Sequence, residues 1–138
     1  MPARDQFHDS ARRALEKAGW TITHDPFRLP IGERNLYADL GAERLLAAER
    51  GMRKICVEVK CFVGMSPVAD LEEALGQYTL YELLLRGTEP DREMCLAVPT
   101  DAFTEVFAEP LGQLVLREKI ALLFVFDPIR EEIIQWIP

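Results

Sequence analysis

Lys54-Ile55-Cys56-Val57-Glu58-Val59-Lys60-Cys61-Phe62 is β-branched, apolar and alternating, and it predicts the central strand of the fold. Strand side chains alternate between two faces, so one face carries Ile55, Val57, Val59 and Cys61, and the other carries Lys54, Cys56, Glu58, Lys60 and Phe62. The first face predicts core. The second places Glu58 and Lys60 about 7 Å apart at Cα. A solvated sheet surface would also carry such a pair, so its meaning depends on the residues around it.

Composition indicates one soluble globular domain over residues 1–138. The chain is 49% apolar and 28% charged, and it is long enough to bury a core. No apolar run approaches a membrane span, and the first ten residues show no signal region. Cys56, Cys61 and Cys95 are an odd set without Cys-x-x-Cys spacing. They argue against a zinc site or disulfide framework and favour a reducing cytoplasm.

The net charge of −7 argues against broad non-specific binding of nucleic acid, because such binding needs Lys and Arg to neutralise phosphates. It leaves a metal-dependent site open, since clustered carboxylates hold divalent cations that can meet phosphate instead. An acidic surface also suits a basic or neutral protein partner.

The chain before the central strand predicts one helix and short strands. Apolar residues recur at helical spacing through Asp5–Ala18, and Gly19 follows, so we expect an amphipathic helix. His8, Arg12 and Glu16 share another stripe, which we interpret as a solvated face, and we expect both His8 and His24 to be surface or structural residues. Strands are predicted at Trp20–His24 and Asn35–Leu40, with breaks at Asp25-Pro26 and Pro30-Ile31-Gly32.

A hairpin should follow the strand that ends near Asp39. Glu43–Glu49 is expected to pair with Arg53–Phe62 through a turn at Arg50-Gly51-Met52. Leu45 to Ala48 would also suit a helix, and that alternative stays open.

A long helix is predicted after the central strand. Ser66 suits an N-cap and Pro67 the first helical position, and we expect the helix to run to about Arg86, ended by Gly87. Its polar stripe is Asp70, Glu73, Gln77 and Tyr81, and another face carries Leu71, Leu75 and Tyr78.

The remaining chain predicts a strand at Met94–Val98, helices at Thr100–Phe107, capped by Thr100, and at Pro110–Lys119, and strands at Ile120–Phe126 and Ile129–Ile137. The order of elements indicates a mixed α/β domain with a sheet flanked by helices.

Asp39 and Glu58 are separated by one hairpin's length, so we expect both carboxylates to converge at one end of the sheet, with Lys60 beside them. Two carboxylates and the Val59 carbonyl suit Mg²⁺ or Mn²⁺. The metal would lower the pKa of a bound water and stabilise charge on phosphate oxygens. Lys60 would orient or deprotonate that water, or stabilise the developing charge. No Ser/His/Asp set, phosphate loop or His-metal spacing competes.

Two short motifs resemble nuclease signatures. Asp39…Glu58-Val59-Lys60 resembles the PD-(D/E)XK motif, with Ala38 where that pattern nominally has Pro. Gln77-x-x-x-Tyr81 resembles an element of RecB-like nucleases. The resemblance implies catalytic roles for the Asp, Glu and Lys of the first motif, with Gln77 and Tyr81 positioning DNA or ordering the site.

Longer segments resemble the XisH family, controlling factors for excision of the fdxN element, a DNA rearrangement in heterocyst-forming cyanobacteria. They are Gly19–Pro26, Leu36–Glu43, Ala47–Glu49, Val57–Lys60, Ala74–Tyr78, Leu96–Pro99, Phe126–Pro128 and Gln135-Trp136. This resemblance implies a restriction-endonuclease-like fold and a small partner protein, XisI.

Two functions therefore remain open. The chain is a Mg²⁺-dependent DNA nuclease that uses Asp39, Glu58 and Lys60, or it is an inactive nuclease-fold regulatory subunit acting through an XisI-type partner. The intact acidic and basic residues favour the first, and the acidic net charge favours the second. A homo-oligomer is compatible with either.

Overall fold

The computed structural model describes residues 7–47 and 51–138, and these hold four helices and eight strands. In chain order they are α1 His8–Lys17, β1 Thr21–His24, β2 Phe27–Ile31, β3 Arg34–Ala38, β4 Leu40–Ala47, β5 Gly51–Val59, α2 Pro67–Thr88, β6 Arg92–Pro99, α3 Thr100–Phe107, α4 Pro110–Arg117, β7 Leu123–Asp127 and β8 Glu132–Ile137. Within these ranges no helix is long and apolar enough to cross a membrane.

Six strands form one mixed sheet in the order β1-β4-β5-β6-β7-β8, and β2 and β3 form a separate hairpin. β5 is antiparallel to β4 and parallel to β6, because α2 carries the chain back between β5 and β6. The sequence prediction of a mixed α/β fold with a helix-flanked sheet is confirmed. The predicted pairing of β4 with β5 is also confirmed, and residues 45–47 lie in β4 rather than in a helix.

β5 is buried on both faces. Ile55, Val57 and Val59 face a core that includes α1, whereas Cys56 faces a second core that includes α2 and the β2–β3 hairpin. Glu58 shares the face of Cys56 and is only 8% exposed. The interpretation of Glu58 and Lys60 as an ordinary solvated pair is therefore wrong for Glu58.

The start of α2 follows the sequence prediction. The Ser66 hydroxyl accepts a hydrogen bond from the Ala69 amide at 3.2 Å, and Pro67 occupies the first turn. Gly87 does not end the helix, because the Glu89 amide still donates to the Leu85 carbonyl beyond it.

The break predicted at Pro30-Ile31-Gly32 is largely strand. Pro30 and Ile31 belong to β2, which pairs with β3, and only Gly32 lies in the turn. A proline lacks an N–H, but each strand of a two-stranded sheet has an open edge where that donor is dispensable. Gly32 has φ 57°, in the left-handed region that glycine adopts freely.

Several other boundaries differ by a few residues. β5 ends at Val59 rather than Phe62, whose φ of 56° redirects the chain toward α2. Thr100 does not cap α3, since the N-cap is Pro99, which has no side-chain donor or acceptor. Trp20, residues 118–122 and residues 129–131 lie outside the strands and helices predicted for them. The predicted helix start at Asp5 and residues 48–50 of the predicted hairpin fall outside the described residues.

Arg92 is a buried cation that joins several elements. Its side chain is 2% exposed, and Nη1 donates to the carbonyls of Ile55 at 2.9 Å and Ala42 at 3.4 Å. Glu43 and Glu89 supply opposite charges at 3.6 and 3.4 Å. This one side chain therefore ties β4, β5 and the end of α2 to the start of β6.

We expect Arg92→Met to lower the free energy of unfolding by about 2–4 kcal/mol, because the two buried carbonyls lose their charged donor. Urea denaturation would measure the change. Arg86→Met is the matched control, because Arg86 is 67% exposed, and its effect should stay within about 0.5 kcal/mol. Equal losses in the two variants would contradict this role for Arg92.

Candidate functional site

Asp39 lies where the chain passes from the β2–β3 hairpin into the main sheet. β3 ends at Ala38 and β4 begins at Leu40, so Asp39 is a single-residue junction rather than the end of one strand. Ala38 and Leu40 are both buried, whereas the Asp39 side chain is 22% exposed. The junction thus holds a carboxylate at the surface between two anchored neighbours.

Asp39 and Glu58 are held together by reciprocal hydrogen bonds. The Asp39 amide donates to Glu58 Oε1 at 3.2 Å, and the Val59 amide donates to Asp39 Oδ2 at 2.7 Å. Each carboxylate is thereby fixed by the backbone beside the other. The structure brings the two acids together at one end of β5, as their spacing predicts.

The surroundings of Glu58 strongly shift its pKa. Burial, with the Asp39 carboxylate beside it, raises the pKa of Glu58 from 4.5 to about 9, and Lys60 offsets this only in part. A cation placed beside the two carboxyl groups would favour the ionised form of Glu58 and so lower this pKa.

Lys60 follows β5 directly and faces both the acidic pair and α2. Its backbone amide donates to the Ala97 carbonyl at 2.9 Å, so the position after the strand is still held by β6. Its Nζ donates to Glu73 Oε1 at 2.8 Å, and the side chain is 17% exposed. The ammonium is therefore bound by Glu73 on α2, and its charge lowers the pKa of Glu58 in part.

Tyr81 and Gln77 lie on the side of α2 that faces the site. Burial, followed by the charges of Glu58 and Asp39, raises the pKa of Tyr81 to about 12, so its phenol stays neutral. The Tyr81 hydroxyl donates to the Tyr37 carbonyl at 3.3 Å, and the Gln77 side chain partly offsets the rise in the Tyr81 pKa. Gln77 Oε1 is buried without a hydrogen-bond partner among the described residues. Asp70, from the same stripe, instead accepts a hydrogen bond from the Gly64 amide.

His8 and Asp25 are site residues that the sequence analysis missed. His8 is 3% exposed, its Nε2 lies 2.8 Å from Asp25 Oδ1, and its Nδ1 lies 3.6 Å from Asp39 Oδ1. The solvated stripe predicted for His8 is therefore wrong. A signal was present, because His8 also lies three and seven residues before Ala11 and Leu15 on the buried stripe of α1.

The residues present fit a divalent ion that retains several waters. In the described ranges, no group of three His, Cys, Asp or Glu side chains is already gathered as a metal cluster. Two adjoining carboxylates nevertheless match the ligands that Mg²⁺ and Mn²⁺ prefer, and Mg²⁺ is commonly held by one or two carboxylates plus water. Nδ1 of His8, which is buried and has no hydrogen-bond partner among the described residues, adds a nitrogen donor beside them.

The chain is a mixed α/β protein whose sheet carries Asp39, Glu58 and Lys60 together at one end of β5. The XisH protein family model matches residues 1–134, and the chain belongs to that family.

Two solved structures are similar over nearly the whole chain. An XisH family protein from Nostoc punctiforme PCC 73102 is 36% identical, with a TM-score of 0.85, covering 97% of this chain and 100% of that one. An fdxN element excision controlling factor protein from Anabaena variabilis is 38% identical, also with a TM-score of 0.85, covering 98% and 100%. A search of curated proteins found no match.

In metal-free buffer we expect Glu58 to make stability fall as pH rises. The folded chain binds the Glu58 proton more tightly than the unfolded chain does. The stability that this proton contributes is therefore complete below pH about 4.5 and is lost as the pH rises toward about 9. Urea unfolding between these values should show a steeper decline for the wild type than for Glu58→Gln. If stability falls with pH equally steeply in both proteins, Glu58 does not have a raised pKa in the folded chain.

Proposed function

We propose that this XisH-family protein is a Mg²⁺- or Mn²⁺-dependent nuclease that cleaves DNA phosphodiester bonds. One observation carries the proposal: hydrogen bonds from the Asp39 and Val59 amides hold the Asp39 and Glu58 carboxyl groups side by side at the end of β5, next to Lys60. Two adjoining carboxyl groups resist ionising together unless a cation lies near them. Such a cation can in turn bind a phosphate oxygen of DNA.

The residues divide the chemistry of hydrolysis between them. A water attacks phosphorus, a P–O bond breaks, and the leaving oxygen takes up a proton. Asp39, Glu58 and the Val59 carbonyl would hold the metal, which would lower the pKa of bound water and stabilise charge on the phosphate. Lys60 orients or deprotonates the attacking water, or stabilises the developing negative charge. Gln77 and Tyr81 order the site from α2 or position DNA.

We also propose that the fold is of the restriction-endonuclease-like, PD-(D/E)XK type. The order of α1, the antiparallel β4–β5 pair, α2 and the parallel strand β6 supports this proposal. The position of the acidic pair and Lys60 at the end of β5 also supports it.

The biological role we propose is control of the excision of a DNA element, together with an XisI-type partner. Family membership supports this role, as does the likeness to the protein from Anabaena variabilis that is named an fdxN element excision controlling factor. The net charge of −7 suits a basic or neutral partner that would share in contacting DNA.

A second candidate function is a regulatory subunit that binds its partner without cleaving DNA. The acidic net charge favours this function, because it opposes the approach of a polyanion. The contact between Lys60 and Glu73 also favours it, since the ammonium already has an anionic partner.

Substitutions in the acidic pair should separate the two functions. We expect Asp39→Asn and Glu58→Gln to abolish metal-dependent cleavage while the fold persists, because a neutral amide is a poor replacement for a carboxylate at Mg²⁺. Cleavage of plasmid and branched DNA, with and without an XisI-type partner, would be measured in Mg²⁺ and Mn²⁺. Asp127→Asn is the matched control, because the Asp127 carboxylate accepts hydrogen bonds from the Ile129 and Arg130 amides in a turn.

We expect Lys60→Ala to lower kcat by about 10²–10⁴-fold while changing metal affinity little, because a residue acting on the water contributes mainly in the transition state. Metal titration followed by single-turnover cleavage would separate the two quantities. If the wild type cleaves nothing in either metal, with or without partner, and cells carrying Asp39→Asn excise the element normally, the regulatory function is correct.

A further inference from the structure

We propose that Asp25, supported by Arg12, is a positioning residue that fixes the tautomer of His8 and thereby presents the His8 Nδ1 lone pair to the acidic pair. The inference rests on the proposed metal site and extends it by a nitrogen donor and by the residues that orient it. Neither Asp25 nor Arg12 belongs to the Asp…Glu-x-Lys or Gln-x-x-x-Tyr motifs.

The geometry forms a chain of contacts from α1 to the site. Arg12 Nη1 donates to Asp25 Oδ2 at 2.6 Å, and Asp25 Oδ1 lies 2.8 Å from His8 Nε2. The His8 and Asp25 side chains are 4% and 12% exposed, whereas that of Arg12 is 37% exposed. Both Asp25 oxygens thus meet a donor, one from a guanidinium and one from an imidazole.

This arrangement selects one neutral tautomer. A carboxylate only accepts hydrogen bonds, so Asp25 requires the proton on Nε2. The other ring nitrogen, Nδ1, then carries a lone pair. Nδ1 is buried without a hydrogen bond in the described part of the chain, and it lies 3.6 Å from Asp39 Oδ1, too far for one.

Two electron-pair donors facing each other across this gap are complementary to a cation. Carboxylate–histidine–metal triads use the same arrangement, in which the outer carboxylate fixes ring orientation and raises ligand basicity. An imidazole ligand also shifts preference from Mg²⁺ toward transition metals. We therefore infer that the site binds Mn²⁺ more tightly than Mg²⁺ and that this preference depends on Asp25 through His8.

The tautomer can be measured without any cleavage assay. Long-range ¹H–¹⁵N NMR of histidine-labelled, metal-free protein at about pH 8 should show His8 protonated on Nε2, with His24→Gln supplying the assignment. An Nδ1–H tautomer or an imidazolium ring would overturn the proposal. In Asp25→Asn the amide can donate to Nε2, so we expect the Nδ1–H tautomer to gain population.

Metal affinity then tests whether Asp25 acts through His8. We expect Asp25→Asn to weaken Mn²⁺ binding by roughly 10–100-fold in a calorimetric titration, with a smaller effect on Mg²⁺. His8→Ala should lose a similar factor, and Asp25→Asn should add little in the His8→Ala background, because both changes remove the same interaction. Asp127→Asn serves again as the control and should bind Mn²⁺ like the wild type.

The outcomes distinguish this proposal from the proposed function. Additive losses in the double variant, or unchanged Mn²⁺ affinity in Asp25→Asn, would overturn the positioning role even if the protein cleaves DNA. The expected tautomer and non-additive loss of Mn²⁺ affinity would support it even if the wild type cleaves nothing. If Asp25→Asn does not fold, the wild-type tautomer and Arg12→Gln, for which a weaker loss of Mn²⁺ affinity is expected, decide the question.

Discussion

Two backbone amides govern the architecture of the site. The Asp39 amide donates to Glu58 and the Val59 amide donates to Asp39, so the residue that follows the β2–β3 hairpin is hydrogen-bonded to the end of β5. The bond from the Val59 amide is the shorter of the two, at 2.7 Å against 3.2 Å. The same pair of bonds therefore fixes a fold junction and sets the spacing of the two acids.

Ionisable side chains are buried at both ends of the β5–β6 pair, Arg92 at one end and Glu58 at the other. Arg92 lies opposite Lys54 near the start of the pair, and it is satisfied by carbonyls and two glutamates. Glu58 lies opposite Leu96 near the other end, where its close neighbour is another carboxylate. The Arg92 cation is thus matched by partners within the chain, whereas an ionised Glu58 would be matched only in part by Lys60, so its pKa is raised. Arg92 therefore has a structural role, whereas the surroundings of Glu58 suit an added cation.

The sequence predicted what local patterns determine. The spacing of Asp39 and Glu58 fitted one hairpin, and Ser66-Pro67 marked the start of α2 through its own capping chemistry. The β2–β3 hairpin was not predicted, because Pro30 suggests a break and its tolerance depends on an edge formed by tertiary structure. His8 and Asp25 were missed because their contact joins a helix to a loop 17 residues away. No periodicity in the sequence encodes such a contact.

Both ends of the β2–β3 hairpin lie at the candidate site. Phe27 pairs with Ala38 at its base, so the hairpin begins just after Asp25 and ends just before Asp39. Its tip, at Gly32 and Glu33, is exposed and lies at the far end of the ladder. Exposed turns of this kind accept changes in length and composition more readily than the paired base beneath them. The fold thus separates an element free to diversify in evolution from the two acids that it anchors, so new surface contacts can arise at the tip without disturbing the chemistry at the base.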